Sequence, residues 1–110
     1  MSNVNNPPIS SSSGISSQTD VTASRALDGT VYHNTTTKPI MCMVNATCSG
    51  GGAVLFKSDA TASPSLSIGQ IYNLNASAIQ GLISFWVLPG YYYKGTITST
   101  ATLVTWIEYT

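Results

Sequence analysis

Leu82-Ile83-Ser84-Phe85-Trp86-Val87-Leu88-Pro89-Gly90-Tyr91-Tyr92-Tyr93 reads as a strand, a tight turn and the start of a second strand. Apolar and aromatic residues fill the first run, Pro-Gly supplies the preset and permissive backbone that a turn needs, and aromatics resume at once. Upstream, Ile40, Cys42, Val44, Ala46 and Cys48 alternate with Met41, Met43, Asn45 and Thr47, the period-two pattern of a strand. The same pattern recurs from Ala26 to the end, with Gly, Pro, Ser and Asn as punctuation. Strands are predicted near Thr30 to Asn34, Pro39 to Thr47, Ala53 to Lys57, Gln70 to Leu74, Leu82 to Leu88, Tyr91 to Thr98 and Leu103 to Tyr109. Breaks fall at Asn34 to Lys38, Ser49 to Gly52, Lys57 to Ser65 and Pro89-Gly90. The fold class is all-β: an antiparallel β-sandwich, jelly-roll-like or Ig-like, of about seven strands. Only Ser77 to Gln80, which lacks strand formers and offers capping residues, suggests a short helical turn.

Residues 1 to 22 carry two prolines, a four-serine run and no periodicity, so they read as a flexible N-terminal arm ahead of a sandwich domain over 23 to 110. The arm is either a solvated tail or a tether that orders on a neighbouring subunit.

Alternation proposes a core of Val31, Ile40, Cys42, Val44, Val54, Phe56, Ile71, Leu82, Trp86, Leu88, Ile97, Leu103 and Ile107, with Trp106 and Tyr109 as core and cover. One strand breaks the one-sided rule. Ile83, Phe85 and Val87 make one face apolar while Leu82, Trp86 and Leu88 do the same for the other. A small sandwich buries one face of each sheet, so a strand apolar on both predicts a subunit interface.

Charge narrows the function. Four basic and four acidic residues cancel, and 7% charged compares with roughly 25% in an ordinary soluble domain. Such a surface lacks long-range repulsion and suits contact with a partner. Arg25, Lys38, Lys57 and Lys94 form no basic cluster, which argues against nucleic acid. No apolar run approaches the 18 or more residues of a membrane-spanning helix, so membrane insertion is not expected, and the N-terminus shows no export signal. The triplets starting at Asn34, Asn45 and Asn75 match the N-glycosylation pattern but read as coincidence in so Asn-, Ser- and Thr-rich a chain.

Catalysis needs titratable groups held together, and one histidine, His33, with Asp20, Asp28, Asp59 and Glu108 is scattered along the chain. No nucleophile elbow marks a serine, and no phosphate-loop lysine follows the glycine run. No enzyme, cofactor or metal is expected. Cys42 and Cys48 would lie roughly 20 Å apart on one face of a strand, beyond disulfide reach without a bend, and read as small buried hydrophobes. A zinc site would find only His33 beside them.

The candidate contact residues are Tyr91, Tyr92 and Tyr93, aromatics with polar tips, together with Gly50, Gly51 and Gly52, a hairpin loop or point of close approach. Strand alternation allows Tyr92 to be core while Tyr91 and Tyr93 cover an edge.

The order of motifs resembles a small β-domain of tailed-bacteriophage virion proteins, such as tail-fibre tips and appendages. The matching residues are Ser24-Arg25-Ala26-Leu27, Thr30-Val31-Tyr32-His33-Asn34-Thr35-Thr36 with Lys38-Pro39-Ile40, then Ile83 to Tyr93 and the closing Val104-Thr105-Trp106-Ile107-Glu108-Tyr109. The resemblance implies a structural protein of the virion, assembled in the bacterial cytoplasm, partnered with itself as a homotrimer and with other virion proteins. Its implied role is a tail-fibre or baseplate module that touches host glycan or protein. The alternative is a capsid decoration protein that stabilises the shell through its N-terminal arm.

Overall fold

The computed structural model describes residues 15–110, which form eight strands. These are β1 (Gln18–Asp20), β2 (Tyr32–His33), β3 (Ile40–Cys48), β4 (Ala53–Asp59), β5 (Ser67–Tyr72), β6 (Ile79–Val87), β7 (Tyr92–Thr98) and β8 (Ala101–Tyr109). Two antiparallel sheets pack as a sandwich, sheet I in the order β1-β8-β3-β6 and sheet II in the order β2-β7-β4-β5. β2 to β8 are the seven strands expected from the pattern. The Ser77 to Gln80 segment is a bend leading into β6, not a helical turn. Among the described residues a 3-10 turn is found at Thr22–Ser24 instead.

β1 was hidden inside the expected arm. Gln18, Thr19 and Asp20 are exposed and carry no apolar signal, so only the ladder to β8 recruits them. Ser16 and Ser17 N–H donate to the Thr110 carbonyl at 2.8 and 2.9 Å, and Thr110 N–H donates to Ser17 at 3.0 Å. The ordered body therefore begins ahead of residue 23. The rest of the expected arm, residues 1–14, lies outside the described residues.

The core lies between the sheets. β3 turns Ile40, Cys42, Val44, Ala46 and Cys48 inward against Val54, Phe56 and Ile71 of sheet II. Phe56 packs on Phe85 with ring centroids 4.9 Å apart and meets Trp106 edge-on at 5.7 Å. Seven of the expected core positions are buried, Ile40, Cys42, Val44, Val54, Phe56, Ile71 and Trp106, and Leu103 packs against them.

The others correct the sequence reading. Leu82, Trp86 and Leu88 are exposed, because β6 registers on β3 with Cys42 opposite Phe85 and Ile40 opposite Val87. With both parities apolar, only that register decides which one turns inward. In β8 a bulge does the same: the pairing steps from Asn45↔Thr105 to Ala46↔Leu103, so Leu103 packs on the core while Ile107 faces outward beside Met43. Trp106 and Glu108 take the inner side. Val31 and Ile97 are exposed near strand ends.

An internal two-fold relation organises these elements. The unit β2-β3-β4 recurs as β5-β6-β7 at a spacing of 39 residues: Ile40 and Ile79 open nine-residue strands, and Ala53 and Tyr92 open seven-residue strands. Val44 pairs with its own equivalent Ile83, and Phe56 with its equivalent Gly95, so the pseudo-dyad runs through both pairs. At the second crossing Phe56 needs the room. A Cβ on Gly95 would lie 2.8 Å from Phe56 Cε1 and 2.9 Å from Leu27 Cδ2.

Matching asparagines clamp the two units. Asn34 Nδ2 donates to the Lys38 and Val87 carbonyls at 2.9 and 3.0 Å, and Asn73 Nδ2 donates to those of Ser77 and Cys48 at 2.8 and 2.9 Å. Each also closes the neighbouring strand connection, its carbonyl accepting from Gly90 N–H (for Asn34) or Gly51 N–H (for Asn73). Both glycines sit in the left-handed region, at φ 81° and 77°, where a side chain would be strained. Asn34 is fully buried, which leaves its side chain no access to a glycan.

Candidate functional site

The structure does not gather the expected contact residues into one place. β3 and β6 run antiparallel, so the loop after Cys48 and the loop after Val87 lie at opposite ends of the sandwich. Gly50, Gly51 and Gly52 belong to the first; Tyr91 ends the second, and Tyr92 and Tyr93 open β7 beyond it. The two loops are pseudo-dyad counterparts rather than neighbours, with Gly51 equivalent to Gly90. Gly50 and Gly51 are exposed, while Gly52 is buried and donates its N–H to Ser49 at 2.7 Å.

Within the tyrosine run the facing is the reverse of the expected one. Tyr91 is half-buried against the core, and Tyr92 turns outward, its ring stacked on His33 at 4.0 Å and 6°. Tyr93 is core, 1% exposed. Turned inward, its hydroxyl is satisfied by Glu108, donating to Oε2 at 2.8 Å.

Glu108 collects donors from both sheets. Its Oε2 also accepts from Arg25 Nε at 3.1 Å, Trp106 Nε1 at 3.2 Å and Cys42 Sγ at 3.7 Å, and its Oε1 accepts from Arg25 Nη2 at 3.0 Å. Burial works against the Arg25 charge, yet the neighbouring carboxylate holds the guanidinium above its ordinary value. Burial, reinforced by the Glu108 charge, pushes the Tyr93 hydroxyl and the Cys42 thiol upward. A carboxylate that takes donors from both sheets and is nearly buried is a staple between the sheets. The sequence reading took Glu108 as one of four scattered acids and as part of the closing motif, without a partner. The signal it offered was the shared parity of Trp106 and Glu108.

The aspartates are also occupied. Asp20, Asp28 and Asp59 each accept the N–H and hydroxyl of the threonine two residues on, and all three carboxyls lie below their usual range, mainly through that hydroxyl. These are Asx turns, a local device that a short side chain builds with its own backbone. Among the described residues no group of three or more His, Cys, Asp or Glu side chains is placed to hold a metal ion, and no helix is long and apolar enough to cross a membrane. Cys42 and Cys48 are free and buried on β3.

What the fold does bring together is two outer faces of opposite character. On sheet I, β6, β3 and β8 align in rows across the strands: Trp86 beside Met41 beside Tyr109, Ser84 beside Met43 beside Ile107, and Leu82 beside Asn45 beside Thr105. None of these carries a charge, and Trp86 and Leu82 are 57% and 56% exposed. At the β1 margin the charged Asp20 lies opposite Ile107. On sheet II, Lys57 lies opposite Lys94, and Tyr92 sits between His33 and Asp59. Sheet I presents a greasy face and sheet II a polar, aromatic one.

No family model, curated protein or solved structure matches the chain.

Proposed function

We propose that the protein is a non-catalytic structural component of a tailed-bacteriophage particle, a module of a tail-fibre or baseplate appendage that contributes to host attachment. The observation that carries this reading is the uncharged outer face of sheet I, with Trp86 and Leu82 more than half exposed. A monomer rarely leaves such a surface open, and burying it against copies of itself or other virion proteins removes it from water. The homotrimer implied by the resemblance is the arrangement to test first.

The residues that carry the resemblance are also the ones that lock this fold. Arg25 pairs with Glu108, Leu27 enters the core, Asn34 clamps a loop and Trp106 fills the centre. The strand orders β1-β8-β3-β6 and β2-β7-β4-β5 favour the jelly-roll-like form over the Ig-like one. With sheet I committed to assembly, the His33–Tyr92 stack and the lysines of sheet II remain for contact with host glycan or protein.

Labelling intact particles with an antibody to this chain tests the reading. Label at the tail tip or baseplate is the expected result, and Tyr92→Ala should lower host adsorption without changing particle yield. Label over the capsid shell would replace attachment with decoration. Absence of the chain from purified particles would end both.

A further inference from the structure

We infer that β6 is a pairing site for a second copy of this chain: Gly81–Val87 of one molecule aligns antiparallel with Gly81–Val87 of another about a molecular dyad at Ser84. The proposal rests on the fold alone and holds whether or not the protein belongs to a virion.

The four sheet margins are not alike. β1 has three residues, β2 has two, and β5 has six with a register shift against β4 between Phe56 and Lys57. Short strands and bulges are devices by which proteins blunt an open edge, as are charges and prolines. β6 has none of them. Its nine residues run without a bulge, a proline or a formal charge, and among the described residues β3 is its only ladder partner.

The pseudo-dyad shows that a strand fits there. It exchanges β3 with β6, and the outer flank of β3 is filled by β8 from Met41↔Tyr109 to Cys48↔Ala101. The equivalent flank of β6 is bare. One half of sheet I therefore already displays the pairing that the other half lacks.

A second copy is the occupant the chemistry favours. Two uncharged, identical strands meet without repulsion, and antiparallel pairing about a dyad is self-complementary over a seam of about 24 Å. Centred on Ser84, the register sets Leu82 of one copy opposite Trp86 of the other, twice. These are the two most exposed large apolar side chains of β6, and an aromatic facing an aliphatic is a favourable cross-strand pair. Ser84 then faces its own copy at a Cα separation of about 4.5–5.5 Å, inside the disulfide range.

The test uses the full chain. Light scattering on the purified protein should give the mass of two copies. Ser84→Cys should form an intermolecular disulfide under mild oxidation at least tenfold faster than Thr105→Cys, which sits on the same outer face two strands away from the β6 edge. The buried native cysteines do not compete. Three copies with no Ser84→Cys cross-link would overturn the β6 pairing while leaving the trimeric assembly of the proposed function standing. A monomer at every concentration would overturn both, and a faster Thr105→Cys cross-link would move the contact from the edge to the face.

Discussion

Replacing Glu108 by Gln tests whether one carboxylate ties the two sheets together. Arg25 has its only ion-pair partner among the described residues in Glu108, and the two side chains are 18% and 7% exposed. The amide keeps the shape and one oxygen, enough to accept from Tyr93 or Trp106, but it presents N–H groups to a guanidinium that is largely out of water. Removing one member of such a pair typically costs about 3–5 kcal/mol, and each orphaned donor adds its own desolvation. Against a total stability of roughly 5–15 kcal/mol that is a large fraction. Urea unfolding followed by far-ultraviolet circular dichroism should therefore show a loss of about 3 kcal/mol at unchanged slope. The double variant Glu108→Gln with Arg25→Met removes the stranded charge and should recover at least about 1.5 kcal/mol of that loss, because an apolar replacement of a buried pair is often close to neutral. A single-variant cost under about 1 kcal/mol, or additive effects in the double variant, would refute the staple.

Asn34→Ala and Asn73→Ala should have similar costs, about 2–4 kcal/mol each, since each strands two backbone carbonyls that the Nδ2 group serves. A thermal-unfolding shift for one but not the other would contradict the pseudo-dyad clamp. The Asp59 carboxyl is held below its usual range by the Thr61 hydroxyl, then by the Ser65 and Thr61 N–H groups. A depressed folded value gives stability that is complete above the unfolded value of about 3.9 and lost as pH falls through the lower folded value. Amide exchange at Ser65 and Leu66 should stay slow down to about pH 4 and quicken only below it; release above that point would contradict the turn. Neither Cys42 nor Cys48 should react with iodoacetamide at pH 8 in the native protein, and both should react in denaturant. Native labelling of Cys42 would show that the Glu108 cluster is open.

Strand identity was legible because it is local. Alternation in Ile40 to Cys48, β-branched and aromatic runs, and the turn chemistry of Pro89-Gly90 and the Gly50 to Gly52 loop each depend on a few neighbouring residues. β1 was not legible, because Gln18, Thr19 and Asp20 hold their place only through the backbone of β8. The repeat at 39 residues escaped notice because it is kept by partners rather than by identities. Asn34 and Asn73, Ile40 and Ile79, and Gly51 and Gly90 match, while most other equivalents differ.

From the order of its residues alone the chain is a sparsely charged sandwich of antiparallel strands, since composition and two-residue periodicity act within each segment. Which side each strand turns inward was decided only in three dimensions. Leu82 and Ile83, or Trp106 and Ile107, are equally suited to a core, and the register on β3 and the β8 bulge choose between them. The same long-range choice put Tyr93 against Glu108 and left Trp86 in water. A residue's own chemistry sets how much it gains from burial, but the strand beside it sets whether it is buried.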